Sequence, residues 1–287
     1  MGKDDIYDSS LVKEMIKAPK VSQADVSIVA TFHREGLYAH WMLNGFEQAR
    51  NHATATGINT QLICVLDNPD EDTRSIVVNH NTVKEQDIIV RVETGDPGTN
   101  RNIGISLAQG QFIGTIDGDD YLSPSWIALA HSLAKEYGAS VVVHPEYIVS
   151  FENQHVLTKI FDQRFDNFPL PALVTSNPWS VVAFAHSAIF KLVSYQSTRS
   201  RITGYAFEDW CWNLEIVSKG IVHICAQGTA HYYRRKKHSV LTVESSSPTI
   251  IRSGSFFESP ECWDKGFELI PELRALSKKI VPQVLSK

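Results

Sequence analysis

The sequence predicts an α/β fold with a mostly parallel central sheet and helices on both faces. First, short apolar runs alternate with helical patterns four times between Asp25 and Pro124, the arrangement that builds parallel sheets from strand–helix–strand units. Second, Gln111–Pro124 (Q-F-I-G-T-I-D-G-D-D-Y-L-S-P) joins an apolar run bounded by Gly110 and Gly118 to Asp117, Asp119 and Asp120. That puts negative charge at the carboxyl end of a buried strand, where open α/β sheets bind ligands. Third, 287 residues with 43% hydrophobic and 21% charged composition form an ordinary globular chain, long enough for a substantial core.

In chain order, 1–24 reads as a weakly specified leader, with Leu11, Met15 and Ile16 on one helical stripe. Strands are expected at 25–31, 61–67, 88–92 and from 112. Helices are expected at 37 to about 55 (Leu37, Trp41 and Phe46 near one face, Gly57 ending it), at 70–79 and at 100–109. Gly95–Thr99 reads as a loop. Ser123 and Pro124 read as N-cap and first turn of a helix to Tyr137, closed by Gly138. A fifth strand starts at Val141 and extends toward Phe151. Beyond 152 the alternation fails: 153–178 looks irregular and 180–190 like sheet. A helix at 208–219 carries Trp210, Leu214 and Val217 on one face, with strands at 221–226 and 229–233 and a terminal helix at 272–286.

The net charge of −5 gives no general affinity for nucleic acid or acidic membranes, despite the local basic run Arg234–Lys237. Cys64, Cys211, Cys225 and Cys262 form no C-x-x-C pair and read as buried, reduced thiols of a cytoplasmic protein. The polar first twenty residues are unlike a signal peptide, and no apolar stretch reaches bilayer length. Packed like charges such as Asp117, Asp119 and Asp120 resist desolvation unless a cation joins them. Their spacing suits a hard divalent ion that keeps positions open for phosphate oxygens; a solvated acidic turn is the bland alternative.

Four ordered stretches resemble family 2 glycosyltransferases: V-S-I-V-A-T-F-H-R-E-G (26–36), Leu66-Asp67-Asn68 with Asp72-Thr73, Asn100–Gly104 through Asp117-Gly118-Asp119-Asp120, and G-Y-A-F-E-D (204–209). The resemblance covers about 25–245. V-V-H-P-E (142–146), N-P-W (177–179), F-E-D-W-C-W-N (207–213) and H-Y-Y-R-R-K (231–236) bring it nearest to bacterial enzymes that build surface polysaccharide such as O-antigen or capsule. His33 stands where asparagine is usual, and Asn68 replaces the second aspartate of a common D-D pair.

The resemblance implies a GT-A (Rossmann-like) nucleotide-sugar-binding fold and inverting transfer from a UDP-, dTDP- or GDP-sugar to a hydroxyl of a glycan or lipid-linked saccharide. It divides the chain into the 1–24 leader, a 25–255 transferase domain (donor half 25–122, acceptor half 123–255) and a 256–287 tail or linker. Asp209 is the expected general base, and Asp119 the ligand of Mn2+ or Mg2+, joined by His231. Thr31, His33, Glu35, Asp67, Arg101 and Asp117 are expected to line the nucleotide pocket. Glu208, Trp210, Asp120, Trp179 and Arg234 are expected on the acceptor side or in support, with Trp212 a second aromatic face beside Asp209 and Arg234 or Arg235 on the diphosphate. The setting implied is cytoplasmic or peripheral at the inner face of the membrane, with a further enzymatic domain or membrane-associated assembly as partner. Rival readings are a haloacid-dehalogenase-type phosphatase with Asp117 as nucleophile, which lacks the expected Thr or Val after its second aspartate, and an inactive glycan-binding module.

Overall fold

The computed structural model describes residues 9–20, 24–165, 170–237 and 249–252. In chain order the elements are β1 (Val12–Lys17), β2 (Val26–Phe32), α1 (Leu37–Ala55), β3 (Thr60–Asp67), α2 (Glu71–Asn79), β4 (Ile88–Val92), α3 (Pro97–Ser106), β5 (Phe112–Asp117), β6 (Tyr121–Leu122), α4 (Trp126–Tyr137), β7 (Val141–Glu152), β8 (Val156–Lys159), β9 (Phe184–His186), α5 (Ser187–Leu192), α6 (Ser200–Thr203), α7 (Glu208–Ser218) and β10 (Val222–Arg235). The strands form one sheet in the order β1-β4-β3-β2-β5-β9-β7-β10-β6, with β8 on β7. The β4-β3-β2-β5 block is parallel, as is the β7–β10 pair. Antiparallel β9 joins the two. The expected α/β class with a mostly parallel sheet is therefore what the chain adopts.

Strand periodicity divides the core between the two faces. Ile28, Ala30 and Phe32 of β2 and Leu62, Cys64 and Leu66 of β3 pack on the side of α1 and α4. Val29, Ile63 and Val65 pack on the other side, with Ile103 of α3 and Trp212 of α7. Successive strand residues point to opposite faces, so a strand covered on both sides must be apolar throughout. All eight residues of β3 are buried.

Several local expectations are corrected. Leu11–Ile16 does not form a helical stripe, because Val12–Lys17 is a strand covering the otherwise open edge of β4. Helix α3 begins at Pro97, not Asn100: the Asp96 carboxylate accepts from the Thr99 amide at 2.7 Å and Pro97 opens the first turn. Helix α4 begins at Trp126, because Ser123 is drawn to the sheet. Its hydroxyl accepts from the Ala230 amide and its own amide donates to the Ala230 carbonyl, both at 3.0 Å. The 153–178 stretch contains β8, and 180–190 is only briefly strand before α5 begins. The two strands expected at 221–233 are one, bulged between Ala226 and Ala230 where Gly228 takes φ +74°. Cys64, Cys211 and Cys225 are buried. Cys262, the terminal helix and most of the leader and tail lie outside the described residues. No described helix is long and apolar enough to cross a membrane.

Candidate active site

The site is built from the carboxyl ends of β2, β3 and β5, the start of α7 and the end of β10. Thr31 and Asp117 are register partners at the ends of β2 and β5. The Thr31 hydroxyl donates to Asp117 Oδ1 at 3.2 Å. Arg101 reaches the same oxygen through Nη2 at 2.7 Å, and its Nη1 makes a close ion pair with Glu208. Burial works against the Arg101 charge, but Asp117 and Glu208 more than restore it. One guanidinium, 3% exposed, thus ties the β5 aspartate to the head of α7. Gly104 permits this approach: a Cβ there would lie 2.3 Å from Val29 Cγ1, so only glycine lets α3 sit this close to β2.

Phe207, preceding α7, adopts a left-handed φ of 61°, a strained conformation for a bulky residue. It turns Glu208 toward Arg101 and leaves Asp209 beside Asn177, whose Nδ2 donates to Asp209 Oδ2 at 3.4 Å. Burial, and then the neighbouring Glu208 charge, push the Asp209 carboxyl up to about 7, against the pull of Arg101. A carboxylate titrating there has the basicity of a general base at neutral pH. Asn177 sits in the N-P-W stretch but was not among the expected site residues. Trp210 is partly exposed and donates to the Leu173 carbonyl at 2.6 Å. Trp212 and Trp179 are corrected to core. Trp212 stacks on Tyr195 and Phe190, while Trp179 stacks on His223 at 3.8 Å and donates to the Phe161 carbonyl.

The acidic turn after β5 is cross-braced. Asp120 is fully buried; its Oδ2 accepts from His231 Nε2 at 2.7 Å and its Oδ1 from the Arg234 amide at 2.8 Å. Arg234, expected in support or on the diphosphate, braces this turn. Its guanidinium bonds the Asp119 carbonyl, the Tyr121 hydroxyl and Glu152, and lies within 6 Å of the Tyr38, Trp41, Tyr121 and Phe151 rings. Trp41, Tyr121 and Phe151 also line an open groove of about 510 Å³. Asp119 instead pairs with Lys236 Nζ at 2.6 Å. Burial raises the Asp119 pKa; Lys236 opposes this and Asp117 adds to it. Burial and then Asp119 push Glu35 up to about 7.

Asp67 and His33 are turned to local work. The Asp67 carboxylate accepts from the Thr94 and Gly95 amides and from Asn68 and Asn100, and so holds the loop before α3. His33 is exposed at the rim, its Nδ1 on the Asp67 carbonyl.

For the divalent cation that the sequence resemblance implies, two side chains offer donors. Asp120 accepts from His231 Nε2 while Nδ1 is buried without a hydrogen-bond partner among the described residues. A carboxylate on one ring nitrogen with a lone pair left on the other is the form of a metal-ligating histidine. Asp119 adds a hard oxygen donor. Among the described residues no group of three or more His, Cys, Asp or Glu side chains is arranged to hold a metal. Two protein ligands leave positions open for phosphate oxygens and water, as Mg2+ sites do.

With this geometry in view, comparison with known proteins defines the class. The family described as Glycosyl transferase family 2 matches residues 27–191. The chain belongs to that family. The match takes in Thr31, Arg101 and Asp117–Asp120 and stops before Glu208-Asp209. Among solved structures, S. aureus TarS 1-349 in complex with UDP-GlcNAc is similar at 16% identity and a TM-score of 0.56, covering 78% of this chain and 61% of that one. The TarS 1-349 complex with UDP matches at 16% identity and a TM-score of 0.55, covering 74% and 61%. Another TarS structure is similar at 17% identity with a TM-score of 0.55, covering 74% of this chain and 37% of that one. The likeness is one of fold, and this chain spans less than two thirds of each TarS chain. A search of curated proteins returns no match.

Proposed function

We propose that this glycosyltransferase moves a sugar from a nucleoside-diphosphate donor to a hydroxyl of a glycan or lipid-linked saccharide, with inversion, in the building of bacterial surface polysaccharide. One observation carries the reading: Arg101 joins Asp117, at the strand ends where α/β sheets bind ligands, to Glu208, and Glu208 adjoins an Asp209 poised at about 7. The similar TarS structures, solved in complex with UDP-GlcNAc and with UDP, favour a UDP-sugar among the UDP-, dTDP- and GDP-linked donors.

In this reading 25–122 holds the donor and 123–255 the acceptor. Thr31, Asp117 and the His33–Glu35 loop face the nucleoside. Asp119 and His231 Nδ1 would hold Mn2+ or Mg2+, which when bound supplies Lewis-acid stabilisation of the departing diphosphate. Glu208, committed to Arg101, positions rather than reacts. The Asp209 carboxylate takes the proton from the acceptor hydroxyl as that oxygen attacks the anomeric carbon on the face opposite the leaving group. Asp117 and Glu208 are held by Arg101 and Asp119 by Lys236, which favours a single displacement. Membership in the transferase family speaks against the phosphatase reading.

The test is a thermal-shift screen of UDP-, dTDP- and GDP-sugars with and without Mn2+, using wild type and Asp119→Ala. A donor present at about a hundredfold its Kd should add roughly 2.7 kcal/mol to wild-type stability, and the metal-dependent part should vanish in the variant. Absence of stabilisation by every nucleotide sugar, or an undiminished metal effect in Asp119→Ala, would overturn the assignment.

A further inference from the structure

Three cations reach the acidic end of β5, and they are held differently. Arg101 is fixed by two carboxylates. Arg234 is fixed by Glu152, Tyr121, the Asp119 carbonyl and four rings. Among the described residues Lys236 has one carboxylate contact, Asp119 Oδ2 at 2.6 Å, and one ring, Tyr38, at 5.8 Å; its side chain is 26% exposed against 5% for Arg234. It is also the first residue past the end of β10. An ammonium on a four-carbon stem is a mobile point charge, unlike the planar fork of arginine.

The carboxylates around Lys236 need positive charge. Asp117 adds to the cost of ionising Asp119, and Glu35 is a third acidic group within electrostatic reach of Asp119. The Lys236 ammonium helps neutralise this group, and burial costs it less than Asp119 and Glu35 return. It does so from Asp119, the oxygen donor a divalent ion would need. The two cations cannot both have that oxygen at full strength, since like charges sharing one carboxylate repel.

We propose that Lys236 is an exchangeable counter-ion of Asp119: it neutralises the acidic turn while no divalent ion is bound, yields Asp119 when one arrives, and moves its ammonium onto the donor diphosphate. The inference rests on the nucleotide-sugar reading above and adds an order of events to it. A divalent ion alone must evict Lys236, so it binds weakly. Once a diphosphate supplies new oxygens for the displaced ammonium, ion and nucleotide favour each other, and by linkage each raises the other's affinity by the same factor. No covalent step is involved; the exchange is one of ion pairs.

Calorimetric titration decides it, with three probes: Mn2+ alone, UDP alone, and UDP at saturating Mn2+. Lys236→Met removes the charge and keeps most of the stem, and Lys236→Arg keeps the charge. Lys236→Met should bind Mn2+ alone about tenfold more tightly than wild type, bind UDP at saturating Mn2+ about tenfold more weakly, and so lose most of the coupling between them. Lys236→Arg should stay near wild type for Mn2+ alone. Matched melting curves exclude misfolding, and Lys236→Gln repeats the measurement should Lys236→Met melt early. Mn2+ binding to the Met variant no tighter than to wild type overturns the proposal. Tighter Mn2+ binding with unchanged UDP affinity overturns the transfer of the ammonium to the diphosphate. If wild type binds no UDP while the variant still binds Mn2+ more tightly, the donor reading fails and the counter-ion exchange at Asp119 stands.

Discussion

Arg101→Met removes the charge that joins Asp117 to Glu208 while keeping a stem of similar reach. The side chains of Arg101 and Glu208 are 3% and 9% exposed, and that of Asp117 is 32% exposed. Deleting one partner of a buried pair costs about 3–5 kcal/mol. The Asp117 contact, closer to solvent, adds at most about 1 kcal/mol. A loss of about 3–5 kcal/mol is therefore expected in urea denaturation at pH 8. A second effect is chemical. Arg101 holds the Asp209 pKa down against burial and Glu208, so its removal raises that pKa. A shift of about one unit is expected, the low end for loss of an opposite charge. At pH 7 the ionised fraction of Asp209 then drops from about one half to about one tenth, a fivefold loss of kcat/KM from protonation alone. The pH profile of kcat/KM should keep its shape with the acid limb displaced upward. Arg101→Lys, which cannot span both carboxylates, should destabilise while leaving the limb near 7. An Arg101→Met protein within 1 kcal/mol of wild type, with the limb unmoved, would refute the bridging role.

Asp209→Asn should lower turnover by about 10²–10⁴-fold with donor affinity nearly constant, and product NMR on wild type should read an inverted anomeric configuration. Because folding raises the Asp209 pKa from 3.8 to about 7, the folded state binds this proton more tightly, and the group costs stability as pH rises from about 4 to 7 and above. Asp209→Asn should therefore stabilise the protein at pH 8 by about 1–3 kcal/mol and leave it unchanged at pH 4, as urea midpoints at the two pH values will tell. Gly104→Ala gains up to about 1 kcal/mol of helix propensity but sets a Cβ 2.3 Å from Val29 and 3.0 Å from Val65. Overpacking of about 1–3 kcal/mol should win, and a variant at or above wild-type stability would contradict the close approach of α3.

The parallel block was legible because burial on both faces forces β2, β3 and β5 into apolar runs that local pattern reveals. β1 was not: its pairing with β4 joins segments far apart in sequence, and its middle residues are exposed. Ser123 carried an N-cap signal, but a carbonyl and an amide of Ala230 out-competed the helix. Asp209 was visible as a motif, and the neighbour that raises its pKa is the adjacent residue in the chain. The burial of Trp179 and Trp212 and the pairing of Lys236 depend on contacts between segments apart in the chain; for Trp179 and His223 the ring stack at 3.8 Å is the deciding contact. Nothing in a basic run tells which cation will be caged by rings and which will find a carboxylate.

The short β9 strand gives the sheet a seam. Phe184, Ala185 and His186 supply the register pairs that connect the four-stranded parallel block to β7 and β10, three on the β5 side and two on the β7 side. By contrast, β7 and β10 are zipped along eleven register pairs. A join so narrow behaves as a suture between two cassettes, each with its own ladder. Side chains cross it far more broadly: Arg101 meets Glu208, Asp96 accepts from the Thr198 and Arg199 amides, Asn102 bonds the Tyr195 backbone, and Arg234 lies over Tyr38 and Trp41. The suture is narrow in backbone but broad in side chains, so a transplanted cassette has to bring those partners with it.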